Sequence, residues 1–305
     1  MRRRNRRNIR RWKPIGSILI FLFLMSAVRP GQSNDVLNSY DVIYKNSQNN
    51  THTVRWKSEE ISFSLPMEFF LVGSLAASIP AEYETEVLKA QAILLRSSLM
   101  RRIKTKQKEV VLSDDNWDYW TDPKMQKEWG GLYEDYLKKC LEAVEGTQGI
   151  YLEYEGDAIV GCYHGMSAGG TRAAEELSKE GEYGYLRETV CADNLSAVNY
   201  QRIQEIEKNK IGELSHMTCD ELGYVISLQR DGETISGEQF CEELGFLSSN
   251  FVWKEEGDSY IFTCRGYGHG FGMDQYYANV LANKGKNYVE ILDCFFKNVT
   301  YQKLE

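Results

Sequence analysis

Residues 265–278 read RGYGHGFGMDQYYA and place glycine at Gly266, Gly268, Gly270 and Gly272. No other stretch restricts the fold of this chain as much. In an extended strand, alternate residues point to opposite faces. One face would then carry no side chains and the other would carry Tyr267, His269, Phe271 and Met273. That bareness costs backbone entropy, and it is kept where a packed element or a ligand comes up against the main chain. The spacing is not the GxGxxG turn of a dinucleotide site, which sets nucleotide binding aside.

The chain divides first by charge. The first 13 residues hold eight of the 36 Lys and Arg and no acid, so the remainder carries 28 basic against 44 acidic groups. An acidic body lacks the basic face that phosphate backbones need, so nucleic acid is not an expected partner. Behind the basic tail, the uncharged apolar run from Ile15 to Val28 fits either a single membrane anchor or a cleaved secretory signal. Ser26-Ala27-Val28 ahead of Arg29-Pro30 is a poor cleavage site, and the cations suit a positive-inside tail. Residues 1–30 are therefore expected to form a basic cytoplasmic tail and single-pass anchor in the cell membrane, 31–55 a polar stalk, and 56–305 an extracytoplasmic body.

Within the body the patterns predict an α+β fold, with helices and antiparallel strands around a substrate groove. A strand is expected near 60–65, followed by a helix buried through Val87, Leu88 and Ile93–Leu95, with Pro80 and the acids Glu82, Glu84 and Glu86 at its start. Residues 113–131 show no clean period. An amphipathic helix over 134–144 ends at Gly146, and the alternating runs GIYLEY and DAIVGCYH predict a hairpin leading into the turn HGMSAGG. Polar helices and short strands over 200–255 predict an accessory lobe. A strand at 259–263, the glycine strand, and helices at 274–283 and 288–296 complete the chain. Seven cysteines are too sparse and irregular for a staple framework, so no essential disulfide is expected.

Three clusters carry candidate chemistry: the acids Glu82, Glu84 and Glu86, the turn YHGMSAGGTR at 163–172, and the glycine stretch with His269. Acids at a helix start serve the dipole as readily as catalysis. No GxSxG elbow makes Ser167 a nucleophile. Cys162, His164 and Cys191 offer three zinc ligands where a structural site wants four. Zinc stays open on these residues, and no cofactor or metal is assigned.

The phrases LKAQAILLRS (88–97), YHGMSAGGTR and RGYGHGFGMDQYYANVLANKGKNYVEIL closely resemble the stage II sporulation protein D family, which includes amidase enhancer proteins. The matches lie in the family's order over residues 60–300. The resemblance implies a membrane-anchored lytic transglycosylase that cuts peptidoglycan glycan strands during endospore engulfment, beside a partner amidase and membrane proteins. One glutamic acid would protonate the glycosidic oxygen and then deprotonate the muramic acid's own 6-hydroxyl, so that an internal nucleophile replaces the second carboxylate of ordinary glycosidases. Family members often carry an acid just before Pro-Ala, where this chain has Ser78. Glu86, inside the ExLKAQA match, is then the favoured acid and Glu84 the second choice, with no role for Glu82. His164, Ser167, His269, Gly270 and Gln275 would line the groove for peptide-stripped strands, with Tyr276 or Tyr267 as an aromatic platform and the glycine-bare face as a floor. The Ser78 departure supports the alternative, a non-catalytic glycan-binding amidase enhancer.

Overall fold

The computed structural model describes residues 52–58, 61–103, 108–172 and 182–304. The expected tail, anchor and most of the stalk lie outside these residues. Strand β1, Thr53–Lys57, already begins within the stretch expected as stalk. It pairs antiparallel with β2, Ser62–Pro66, and parallel with β3, Glu109–Ser113. Val54 and Trp56 alternate inward from β1 and close the sheet over the helical core.

The helix expected after Pro80 is α2, Thr85–Arg102, and a further helix that the sequence reading does not place, α1, Met67–Ser78, precedes it. Pro80 separates them, because it has no N–H to give and biases the residue before it away from helix. Ile79 is accordingly extended, at φ −148° and ψ 145°. Both helices are buried on most sides and pack on α4, Tyr133–Gly146, which presents Leu137, Cys140, Leu141 and Val144 at helical spacing. A short helix, α3, Asp122–Trp129, precedes α4. Inside this apolar packing Arg96 makes two bonds to Glu68, Nε–Oε1 at 2.8 Å and Nη2–Oε2 at 2.7 Å, and a third to the Ile150 carbonyl at 2.8 Å.

The expected hairpin is β4, Ile150–Tyr154, with β5, Asp157–Ala158, and the sheet order is β14–β4–β5, with β14 at Thr300–Lys303. Next, β6, Tyr163–His164, pairs in parallel with β13, Met273–Asp274. The intervening lobe holds β7, Gln201–Glu207; α5, Lys208–Ile211; β8, Leu214–Cys219; β9, Val225–Arg230; β10, Glu233–Ser236; α6, Gly237–Leu244; β11, Phe251–Glu256; and β12, Ser259–Arg265. Its sheets are ordered β10–β9–β8 and β11–β12–β7. They enclose a second core around Phe240, Phe246, Phe251 and Phe262, so the lobe runs through β12, past residue 255. Helices α7, Gln275–Asn283, and α8, Tyr288–Phe295, close the chain against α2. The fold is α+β, as the patterns predict.

The glycine stretch is not a strand. Gly266, Gly268, Gly270 and Gly272 have φ of 73°, 106°, 82° and 70°, the left-handed region that costs other residues about 1–2 kcal/mol. Their bare sides are also filled by protein. A Cβ on Gly266 would stand 2.6 Å from the Met166 carbonyl oxygen, one on Gly268 2.6 Å from the His164 Cβ, and one on Gly270 2.7 Å from the Tyr224 ring, while one on Gly272 would collide with the Cys162 carbonyl. The element that approaches the backbone is the 162–168 segment, with Tyr224 of the lobe. It occupies the face that the sequence reading reserved as a floor for sugar.

The seven cysteines are free thiols. No helix among the described residues is long and apolar enough to cross a membrane.

Candidate functional site

The parallel β6–β13 contact brings His164 beside Asp274, and a polar brace forms around that pair. Asp274 caps α7 by accepting from the Tyr277 amide at 2.9 Å, and its Oδ2 accepts from the Ser167 amide at 2.8 Å and the Asn194 side chain at 2.5 Å. His164 Nδ1 lies 3.0 Å from the Phe271 carbonyl. A carbonyl only accepts, so Nδ1 carries the proton. Nε2 faces Asp274 Oδ2 at 3.8 Å. Burial lowers the His164 pKa, against the Asp274 charge and the Phe271 bond, which raise it. Asn194 also reaches the Ser167 hydroxyl, at 3.1 Å. Ser167 is fully buried and His164 nearly so, so neither lines a groove. Gln275 is likewise enclosed, donating to the Ser78 carbonyl at 2.7 Å and to Gln91 Oε1 at 3.2 Å. These three of the expected groove residues are internal struts, and Gly270 is buried against Tyr224.

His269 and Tyr276 remain within reach of solvent. The His269 ring centroid is 5.6 Å from that of His164, and the ring bonds to the backbone of Tyr163. As a residue His269 is exposed, yet protein atoms crowd its ring. Their desolvation, followed by the charges of His164 and Arg172, takes its pKa down to about 4. Cys162 and Cys191 do not join His164 at a metal centre: among the described residues no group of three or more His, Cys, Asp or Glu is placed to hold an ion. Burial pushes the Cys162 thiol up to about 11, which suits a packing group.

The helix-start acids are divided by their bonds. Glu86 donates nothing and accepts twice, from Lys89 Nζ at 2.6 Å and from the Tyr288 amide at 2.8 Å, so it ties the first turn of α2 to the start of α8. Glu84 precedes α2 with an exposed side chain, and its amide donates to Asn279 at 2.9 Å. Glu82 is exposed.

An open cleft of about 360 Å³ lies between Leu95 and Ser98 of α2, residues 114–118 and Tyr163. Neither Glu84 nor Glu86 is part of its wall. Its loop is fastened from several sides. Trp117 Nε1 donates to Ser74 at 2.8 Å, the Asn116 and Trp117 amides donate to the Ser113 carbonyl at 3.1 Å, and Arg102 covers the Trp117 ring at 5.2 Å. The loop then runs on to Trp120, whose amide donates to the Gly73 carbonyl at 3.0 Å. A side chain at Gly73 would overlap the Tyr119 ring. Across the cleft, Tyr163 is within hydrogen-bonding reach of Ser78, and burial followed by the Asp118 charge pushes its pKa up to about 12. Fixed aromatic edges and carboxylates around an open cleft suit a hydroxyl-rich ligand, with apolar ring faces for the aromatics and hydroxyls for the acceptors. The sequence reading missed Trp117, Asp118 and Tyr163. The signal available was SDDNWDYW, acids and aromatics interleaved in a stretch without helical or strand period, the composition of a functional loop.

A sequence profile described as Stage II sporulation protein matches residues 56–154, which include α1, α2, α4 and the cleft loop. The chain is 29% identical over 257 residues to stage II sporulation protein D of Bacillus amyloliquefaciens, covering 77% of this chain and 74% of that one. It is also 29% identical over 253 residues to stage II sporulation protein D of Bacillus subtilis (strain 168), with the same coverage. An uncharacterized protein of Brachyspira hyodysenteriae is 25% identical over 255 residues, covering 77% of this chain and 66% of that protein.

Proposed function

Because this chain belongs to the stage II sporulation protein D family, we propose that it acts on the glycan strands of peptidoglycan during sporulation, as a membrane-anchored lytic transglycosylase. The observation that carries this reading is the cleft beside α2, with Trp117, Tyr163 and unpaired carboxylates on its wall. A peptide-stripped strand lies across it, one carboxyl gives a proton to the leaving oxygen, and the muramic acid's 6-hydroxyl closes the anhydro ring. The substrate supplies the nucleophile, so one protein carboxylate is enough. Glu86 is a poor fit to that role, since both its oxygens are engaged. Glu84 is free but does not line the cleft. The partner amidase supplies the substrate by removing stem peptides.

A second reading is favoured by one observation. Ser78 stands at the end of α1 where the resemblance places an acid, and its hydroxyl donates to the Leu75 carbonyl at 3.2 Å. The chain would then hold glycan without cutting it and stimulate the amidase. Incubating the full-length protein with peptide-free strands, followed by mass spectrometry, separates the two. New anhydromuramic ends are expected. Binding and amidase stimulation without new ends would replace the enzyme reading with the second one.

A further inference from the structure

We propose that Asp118 is the carboxyl that gives and then takes the proton in the cleft, with Trp117 and Tyr163 seating the saccharide. This inference rests on the glycan-cleaving reading above. Three acids, Asp114, Asp115 and Asp118, lie on the wall, and none makes an ion pair or hydrogen bond with the described residues. They are not arranged to hold a cation. Asp118 differs from the other two in its place: it lies between Trp117, tied to Ser74, and Trp120, tied to Gly73, on the wall that also carries Tyr163.

The loop geometry favours a working group over a loose surface acid. Trp117, directly before Asp118, is anchored through Ser74 and covered by Arg102, and Trp120, two residues after it, is held by Gly73. The carboxyl thus hangs from a backbone fixed at both ends, which is what positioning for proton transfer demands. A sugar laid on Trp117 and Tyr163 shuts the carboxyl off from water, so that its proton passes to the bound strand and not to solvent. In the reaction the carboxyl proton goes to the glycosidic oxygen and the bond from that oxygen to C1 breaks with its electron pair on oxygen. The 6-hydroxyl oxygen bonds to C1 and its proton returns to Asp118. No water is consumed, and the carboxyl ends as it began.

The test uses full-length protein in detergent, peptide-free glycan strands as probe, and anhydromuramic ends, strand co-sedimentation and melting temperature as readouts. Asp118→Asn is expected to lower the rate of end formation by about 10²–10⁴-fold, with binding and melting temperature unchanged, while Glu82→Gln, outside the cleft, keeps the wild-type rate. Trp117→Ala is expected to weaken binding. If Asp118→Asn cuts strands at the wild-type rate, the inference is overturned and the glycan-cleaving reading stands. If wild-type protein itself forms no ends, both are overturned.

Discussion

Glu68 and Arg96 form a fully buried, doubly bonded ion pair at the centre of the α1–α2 contact. Removing one member leaves the other charge in apolar surroundings, at a cost of about 3–5 kcal/mol. Arg96→Met is expected to lose that much in urea unfolding, and Arg96→Met with Glu68→Leu to recover most of it. A single variant as stable as the wild type would contradict the burial. Gly272 carries a different constraint, a positive φ together with contact against the Cys162 carbonyl. Gly272→Ala should cost about 2–5 kcal/mol, adding left-handed strain to overpacking, and a melting temperature within error of wild type would contradict it. His164 and His269 give the pH dependence its sign. Both have lowered folded pKa values, His269 to about 4, so as pH falls from about 6.5 the unfolded imidazoles bind protons first and stability is lost. Denaturation midpoints should fall on acidification through that window, with a shallower fall in His269→Gln. A midpoint that rises would refute the sign. At this scale the sequence revealed where constraint lies but not its form. Alternating glycine serves a bare strand or a run of left-handed turns equally well, and only the carbonyls of residues 162–168 decide between them. His164, Ser167 and Gln275 are polar residues of the kind that line sites, but burial and hydrogen-bond partners set by distant elements make them struts.

The elements meet where the lobe docks on the glycine loop. The Arg172 guanidinium lies 4.3 Å from the Phe271 ring centroid and 4.8 Å from that of Tyr224, and its Nε pairs with Asp220 at 2.7 Å. The Gly268 amide adds a bond to the Leu247 carbonyl at 2.7 Å. Arg172→Met is expected to speed amide exchange through β8–β11 while α1 and α2 keep their protection, because the lobe has its own core and loses mainly its attachment. Exchange that quickens equally in both parts would contradict a separable lobe. Much at this scale was legible: β2, α4, the β4–β5 hairpin, β12, α7 and α8 follow from periodicity and turn residues, since local patterning dictates such elements. Helix α1 was missed, although Pro80 correctly marked the start of the next one, because apolar residues on all its sides leave no helical period to read. The cleft loop escaped for the opposite reason. Residues 114–118 have no period, and their shape comes from Ser74, Arg102 and Ser113.

For the whole molecule, the basic tail and apolar run ahead of an acidic body propose a protein held at the membrane with its cleft outside. The full-length chain should stay in the membrane fraction through a high-salt wash, which strips proteins bound by charge alone, and a mature chain beginning near Arg29 would contradict the anchor. The family resemblance was legible from three ordered phrases, but the position of the acid was not, because Ser78 interrupts the pattern and the proposed Asp118 sits on a loop whose shape distant elements set. On the proposed reading this cleft breaks glycan strands through an internal nucleophile and the Asp118 carboxyl. Cleavage of peptide-free strands in oxygen-labelled water, followed by mass spectrometry of the new ends, distinguishes an internal nucleophile from water. Wild type and Glu86→Gln should form anhydro ends that carry no label, and Asp118→Asn should form none; labelled reducing ends, or anhydro ends that persist in Asp118→Asn and vanish in Glu86→Gln, would contradict this mechanism.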